Sequence, residues 1–368
     1  MRIKDVKAFS AKLHKKMPLR AMGNTYDVTL DTLVKISTDE HVFGFGEARA
    51  RFGETQQSMM SIMDSSIAPA LIGENPFDIE RILNKLDFIM GNNQRFYAKS
   101  MVDQALHDIV GKALRTPVYN LLGGCFRDEL SVSYTIWMGE PKQAAEDAKK
   151  LLRQGFKVLE VKIGYRPIKE DVERVKAVRE AAGPEIPIWV DANEAYKPKE
   201  SIDLIRKMSK YNVGWFEQPV PWWDLKGLAK VRKAVFPEVL IIADQSCVTV
   251  QDTMRMIELE SADLFNIKPS RQGILRSKTI AKLAEAAGLD VKLGTSDEGS
   301  VSHAAGLHFA ASTGNLETRV CEIPLWENKN DIAKGLQSDE GGTTWKVPKT
   351  PGLGVDVDEH MLTPFVPL

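Results

Sequence analysis

A chain of 368 residues with 49 basic and 50 acidic side chains, 43% hydrophobic residues and 3 cysteines is long enough for two domains, or for one large barrel with an appendage, which excludes a small disulfide-stapled scaffold. The net charge of -1 supplies no pull toward nucleic-acid phosphates or anionic lipid, so bulk binding to either is excluded. Cys125, Cys247 and Cys321 are far apart and lack CxxC spacing, and the first residues interleave charged with apolar side chains; the expectation is a soluble cytoplasmic protein with reduced thiols.

Residues 25–37 alternate apolar and polar side chains, and 40–49 form a partner run across Thr38-Asp39-Glu40. With residues 1–13 this spacing predicts an antiparallel meander. From 54 to about 122 the period becomes helical, Pro76 opening one segment and Gly91-Asn92-Asn93 closing it. The first part is thus an α+β unit of about 125 residues.

After Gly123-Gly124 short apolar runs alternate with charged amphipathic stretches. The runs fall at 131–137, 158–163, 186–193, 213–219, 239–246, 264–270, 291–297 and 318–324. Eight strand–helix units imply parallel strands closed into a TIM-type α/β barrel. The rival, an open doubly wound sheet, lacks its dinucleotide loop. Gly44-Phe45-Gly46 with Gly53 is the nearest imitation, and its spacing is wrong.

Each later run ends in a charged residue: Lys162, Asp191, Glu217, Asp244, Lys268, Asp297 and Glu322, at intervals of 24 to 29 residues. In a barrel the C-terminal strand ends share one mouth, so these side chains converge. A strand that simply meets solvent also ends at its first polar residue, but that gives no reason for the order Lys, three acids, Lys. Asp191, Glu217 and Asp244 are oxygen donors without His or Cys beside them, which suits a hard cation such as Mg²⁺ and disfavours zinc. Lys162 and Lys268 flank them in strand order, placed to approach a metal-bound substrate from opposite sides. A desolvated lysine near cations has the lowered pKa of a general base, so the implied chemistry is proton abstraction beside a carboxylate.

These residues stand in segments that resemble the enolase superfamily, in its muconate-lactonizing-enzyme branch (mandelate racemase/muconate cycloisomerase-like). The matching segments include Val161-Lys162-Ile163-Gly164, Asp191-Ala192-Asn193, Trp215-Phe216-Glu217-Gln218-Pro219, Ala243-Asp244-Gln245-Ser246, Asn266-Ile267-Lys268-Pro269 and Pro351-Gly352-Leu353-Gly354. The resemblance implies a (β/α)7β barrel over 126–329 and an N-terminal α+β capping domain over 1–125, completed by the tail 330–368. It also implies Mg²⁺, with Mn²⁺ as a substitute, on Asp191, Glu217 and Asp244, and acid/base lysines at 162 and 268. In such enzymes a small carboxylate substrate loses its α-proton to give a metal-stabilised enediolate. Reprotonation on the opposite face racemises or epimerises; loss of a β-group dehydrates; ring closure or opening cycloisomerises. Two lysines on opposite faces favour racemisation or epimerisation of an amino-acid derivative or cyclic imino acid. A β-hydroxy-acid dehydratase, a muconate-type cycloisomerase and, from another class, a non-catalytic metal-binding barrel are the alternatives. A homo-oligomer is expected.

Two departures from the family pattern stand out. Glu160 takes the place of the first lysine of Lys-x-Lys and shares a strand face with Lys162, either to bind a cationic substrate group or to orient Lys162. Gln245 replaces the usual Glu and removes a negative charge near Lys268. Substrate contacts are expected from Arg20, Met22, Asn24 and Tyr26 in one loop, and from Arg51, Phe52 and Glu54 in the next. Asn193, Glu322 and Trp326 are further candidates. Asp297 with Phe52 and Trp326 predicts an anionic, aromatic setting for an ammonium or a proline-betaine-like group. His303 and His308 are five residues apart in an apolar helix, which favours core or capping roles over metal binding. Trp222-Trp223 is expected on a loop, for packing, a lid or a subunit contact.

Overall fold

The computed structural model describes residues 1–21, 24–51, 54–90, 96–165 and 167–366. Three long strands open the chain, β1 (Ile3–Ala21), β2 (Asn24–Thr38) and β3 (Phe43–Arg49), antiparallel and in the order β1-β2-β3. Helices α1 (Gln56–Ile62), α2 (Ala68–Leu71), α3 (Ile79–Met90), α4 (Phe96–Ala113) and α5 (Val118–Leu121) follow. Helix α4 lies across the sheet so closely that a Cβ at Gly46 would stand 1.8 Å from the Met101 carbonyl oxygen, and one at Gly44 2.2 Å from that of Ala105. The Gly-Phe-Gly run is therefore a helix-docking surface, where only a missing side chain permits the approach.

Strand β4 (Glu129–Ser131) leads into the barrel: β5 (Tyr134–Ile136), α6 (Pro141–Gln154), β6 (Leu159–Lys162), α7 (Ile168–Ala182), β7 (Ile188–Asp191), α8 (Pro198–Ser209), β8 (Val213–Glu217), α9 (Leu225–Val235), β9 (Leu240–Ala243), α10 (Val250–Glu258), β10 (Leu264–Ile267), α11 (Pro269–Gln272), α12 (Ile274–Ala286), β11 (Asp290–Leu293) and α13 (Ser300–Ala311). Strands β5 to β11 make one parallel sheet in chain order. Alternate residues of each strand pack outward on the helices, as Val161, Val190, Phe216 and Phe265 do, while Trp189, Trp215, Ile242 and Leu264 fill the lower interior.

The sequence expectation is corrected at both edges of this sheet. The run 131–137 divides: Ser131 belongs to β4, which pairs with a tail strand, and the first barrel strand begins at Tyr134. The run 318–324 is not a full strand. Thr318–Val320 forms a 3-10 turn held by the Glu317 side chain, which accepts from the Arg319 amide, and Pro324 has no N–H to continue a ladder. The short extended piece between them closes the barrel. Ser133 donates its amide to Cys321 O at 2.8 Å, and the Glu322 amide donates to Leu293 O at 3.0 Å, joining the two edge strands.

The tail carries β12 (Ala333–Lys334), β13 (Gln337–Ser338), β14 (Thr344–Lys346), β15 (Asp356–Val357) and β16 (Thr363–Pro364). β14 pairs with β4 beside the barrel, while β16 pairs with β1 through Phe9 and Pro364 and becomes the fourth strand of the first sheet. Asp108 of α4 ties the parts together, accepting from the amides of Phe45 at 3.1 Å and Leu353 at 2.9 Å. Among the described residues no helix is long and apolar enough to cross a membrane.

Candidate active site

The strand register builds the site in layers. Lys162, Asp191 and Glu217 are direct cross-strand partners on β6, β7 and β8, so they share one level at the mouth. Asp244 and Lys268 directly follow β9 and β10. Two residues down each strand, Glu160, Trp189 and Trp215 form the next level, as the alternation of side chains requires. The mouth encloses a cavity of about 40 Å³, lined by Lys162, Asp191, Asn193, Glu217, Asp244, Gln245, Lys268, Asp297 and Glu322, and also by Arg51, Trp137, Thr295 and Ser296. Left-handed backbone at Asn193 (φ 43°), Glu194 (φ 71°) and Gln218 (φ 34°) turns the chain sharply at the ends of β7 and β8. Such strain persists where surrounding bonds fix it; here the Gln218 side-chain oxygen accepts from the amides of Asp244 at 2.9 Å and Ser246 at 3.2 Å.

Every carboxylate at the mouth is engaged by a cation. Lys162 Nζ lies 2.5 Å from both Asp191 and Glu160, and Lys268 Nζ lies 2.7 Å from Asp244. Arg271 reaches the other Asp244 oxygen at 3.1 Å. Glu217 accepts from Asn266 Nδ2 at 2.7 Å and from Lys292 Nζ at 3.0 Å. Burial, joined by the charges of Asp191 and Asp244, pushes Glu217 up to about 7 even though Lys292 opposes it. Burial likewise pushes Glu160 up to about 8 against the charge of Lys162. Burial alone would weaken the Lys162 ammonium, but Asp191, Glu160, Glu322 and Glu217 together hold its pKa well above the ordinary lysine value. Burial also opposes ionisation of Asp244, yet Lys268 and Arg271 hold it far below the usual carboxylate range.

The donor set fits a hard divalent cation. Three carboxylates on adjacent strands face one cavity, and the mutual repulsion visible at Glu217 is what a cation would relieve. Two buried polar atoms on the same wall, Gln245 Oε1 and Asn193 Nδ2, have no hydrogen-bond partner among the described residues. As the side chains stand, no group of three Asp, Glu, His or Cys among the described residues is arranged to grip an ion, because the lysines and Arg271 have drawn the carboxylates onto themselves.

The remaining candidates divide. Glu160 is fully buried beneath Lys162 and is hydrogen-bonded by the Thr135 hydroxyl, so it faces no substrate. Asp297 is not a strand end: β11 stops at Leu293, and Asp297 sits in the loop beyond, 3.1 Å from Arg49 and 2.6 Å from Arg51. Both guanidiniums consume its charge, which corrects the expectation of a free anion for an ammonium group. Burial opposes its ionisation, but Arg51 and Arg49 hold Asp297 at about 2. Tyr26 is exposed on the capping sheet, its ring 5.2 Å from the Arg49 guanidinium carbon, and does not line the cavity. Met22, Phe52 and the side chain of Trp326 lie outside the described residues. His303 bonds Gly299 O at 2.9 Å, and His308 sits between the Tyr119 amide and Leu353 O, so both histidines are structural. Trp222 and Trp223 are exposed beside the mouth.

Sequence reasoning missed Lys292, Arg271 and Asn266. Lys292 left a signal, since a lysine inside the apolar run Val291 to Leu293 must find a buried anion; Arg271 and Asn266 left none beyond their nearness to Lys268.

Comparison with known proteins agrees with this architecture. Residues 3–123 match the profile described as "Mandelate racemase / muconate lactonizing enzyme, N-terminal domain", and residues 143–361 match "Enolase C-terminal domain-like". The chain is 31% identical to the N-succinyl-L-Arg/Lys racemase of Bacillus cereus over 98% of its own length and 97% of the relative's, and that enzyme's crystal structure superposes with a TM-score of 0.92 at 30% identity. The hydrophobic dipeptide epimerase of Enterococcus faecalis is 32% identical over 96% of this chain and 99% of its own; its crystal structure, complexed with Mg and the dipeptide L-Leu-L-Tyr, gives a TM-score of 0.89. Muconate cycloisomerase 1 of Acinetobacter baylyi is 30% identical over 90% of each chain. With both halves of the fold matched, the chain belongs to the mandelate racemase / muconate lactonizing enzyme family, within the enolase superfamily.

Proposed function

We propose that this protein racemises or epimerises an N-acylated amino acid or related amino-acid derivative by metal-assisted removal of the α-proton. The observation that carries the reading is the placement of Lys162 and Lys268. With the closing segment counted as the eighth stave, β6 is the second and β10 the sixth, so the two lysines face each other across the mouth with the carboxylates between. Asp191, Glu217 and Asp244 would hold Mg²⁺, or Mn²⁺ in its place; when bound, the metal supplies positive charge to the substrate carboxylate and acidifies its α-carbon. Released from Asp191 and Asp244, which would then hold the metal, one lysine would take the α-proton from one face and the other would return a proton to the opposite face. Glu160, bonded to Thr135, keeps Lys162 aimed into the mouth.

The far end of the substrate meets the joint between the capping sheet and the barrel, where two arginines face the single carboxylate of Asp297. The Arg51 guanidinium on the cavity wall is a charged hydrogen-bond donor that suits an acyl carbonyl or a second carboxylate rather than an ammonium, and an N-succinyl group, as carried by the substrate named for the Bacillus cereus relative, has both. The unequal holding of the lysines, Lys162 by two carboxylates and Lys268 by one, favours a cycloisomerase or dehydratase as the second reading, since one fixed acid and one mobile base suffice there. A homo-oligomeric, cytoplasmic enzyme is part of the same proposal.

Incubation of each enantiomer of N-succinyl, N-acetyl and dipeptide substrates with the protein and Mg²⁺ in D₂O tests it. The expected result is α-deuteration with inversion at that carbon, seen as loss of optical rotation for the N-acyl amino acids and as appearance of the second diastereomer for the dipeptides. Absence of exchange across the whole panel sinks the reading, and exchange accompanied by an unsaturated or cyclised product establishes the second one.

A further inference from the structure

Lys292 is fully buried on β11, the seventh stave. Its ammonium lies 3.0 Å from Glu217 Oε2 on the fourth stave and 2.8 Å from Glu322 Oε2 on the eighth. It also lies 3.7 Å from the centre of the Trp189 ring on the third stave. The third and seventh staves are diametrically opposite, as are the fourth and eighth, so the ammonium sits near the barrel axis, directly beneath the mouth. It does not line the cavity, whereas Glu217 and Glu322 do.

The cations of the site therefore fall into two kinds. Lys162 and Lys268 reach the cavity and must leave their carboxylates to react. Lys292 and Arg271 are out of its reach, and each keeps hold of one carboxylate, Glu217 or Asp244, when the reacting lysine moves. With Asn266 on Oε1 and Lys292 on Oε2, both oxygens of Glu217 are fixed from below, and the carboxylate can turn only its remaining lone pairs to the mouth. We propose that Lys292 is a positioning residue: it fixes Glu217 in its metal-facing orientation and, by the same contact, ties it to Glu322 across the barrel axis. The proposal rests on the functional reading above. Partners of this outer kind orient metal ligands and commonly change metal affinity by about 10–100-fold when removed.

Calorimetric titration with Mg²⁺ alone separates the two ideas. Wild-type protein that takes up no Mg²⁺ overturns the functional reading and this one with it. Glu322 lines the cavity, so the reference is Glu322→Gln, and the test protein is Lys292→Met/Glu322→Gln. Relative to the reference the double variant has lost only the Lys292 ammonium; removing a cation would by itself tighten Mg²⁺ binding, so a weaker Kd reports the loss of the Glu217 anchor. Its Mg²⁺ Kd is expected to exceed that of the reference by about tenfold. A second pair, Lys292→Gln/Glu322→Gln, puts a shorter, uncharged side chain under Glu217 that cannot hold it as the ammonium does, and is expected to raise Kd by about fivefold over the reference; it carries the test by itself, against the same reference, if Met prevents folding. Thermal melting without metal identifies a merely stabilising lysine, which would lower the melting temperature and leave Kd alone. A Kd within twofold of the reference in a folded Met or Gln double variant overturns the proposal.

Discussion

Arg51 and Asp297 meet at 2.6 Å across the joint between the capping sheet and the barrel. Arg49 approaches the same carboxylate oxygen at 3.1 Å, and Arg51 also donates to the Ser296 carbonyl at 3.3 Å. The loop that roofs the cavity is thus pinned at one carboxylate. Asp297→Asn leaves two largely buried guanidiniums without their shared anion and is expected to lower stability by about 3 kcal/mol and to raise KM more than it lowers kcat. Because the folded-state value near 2 lies below the unfolded one, the stabilisation is complete above roughly pH 4 and is lost as pH falls toward 2. Urea unfolding from pH 5 to 2.5 measures this; an Asn variant whose stability falls as steeply as the wild type's would refute the assignment.

Lys162→Ala and Lys268→Ala are each expected to block proton transfer on one face only. Proton removal by a positioned side chain contributes about 10²–10⁴-fold, so each variant should lose that much exchange with one enantiomer and keep far more with the other. Deuterium wash-in, followed by NMR from each pure enantiomer, distinguishes this from a single-base enzyme, in which the two variants would lack opposite preferences.

Glu160→Gln keeps a side-chain oxygen for the Thr135 hydroxyl and removes one of the two carboxyl groups at Lys162, one that is ionised above about 8, in the range where Lys162 titrates. Removing an anion favours the neutral amine, so the Lys162 pKa falls. The limb of the pH–rate profile that reports Lys162 as a base should move to lower pH in this variant, in the direction that lost negative charge dictates. An unmoved limb would show that Glu160 does not govern Lys162.

Gly46→Ala tests the packing of α4 on the sheet. Its Cβ would collide with the backbone of Met101 at 1.8 Å, a contact that flexible side chains cannot relieve, so a loss of about 3 kcal/mol or outright failure to fold is expected. Thermal melting of Gly46→Ala beside an exposed control, Gly73→Asn, checks it; Gly73 has a left-handed φ of 82° and open space around its Cβ.

Much of the site was legible because a charge that ends an apolar strand is conspicuous. Lys162, Asp191, Glu217, Asp244 and Lys268 each stand where a buried stave stops, and register then levels them. Asp297 deceived for the same reason: its interval from Lys268 fits the series, yet β11 had already ended four residues earlier at Leu293, and sequence spacing cannot tell a strand end from a nearby loop. The eighth stave was misread because an apolar run shows propensity for extension and not whether its amides find partners. Lys292 was overlooked because one lysine between apolar neighbours looks like an edge residue until both faces of the strand are known to be covered. The two arginines at Asp297 are separated from it by more than 240 residues, and only the docking of the first sheet on the barrel brings them together.

The pairing of β16 with β1 has a consequence for biosynthesis. The outer strand of the first sheet is supplied only after every stave of the barrel has been translated, so on the ribosome that sheet waits with β1 as an open edge. Since domains generally fold as units and in order of synthesis, the earliest part of this chain is among the last to be finished, and the roof over the barrel mouth is completed only when the barrel beneath it has been made.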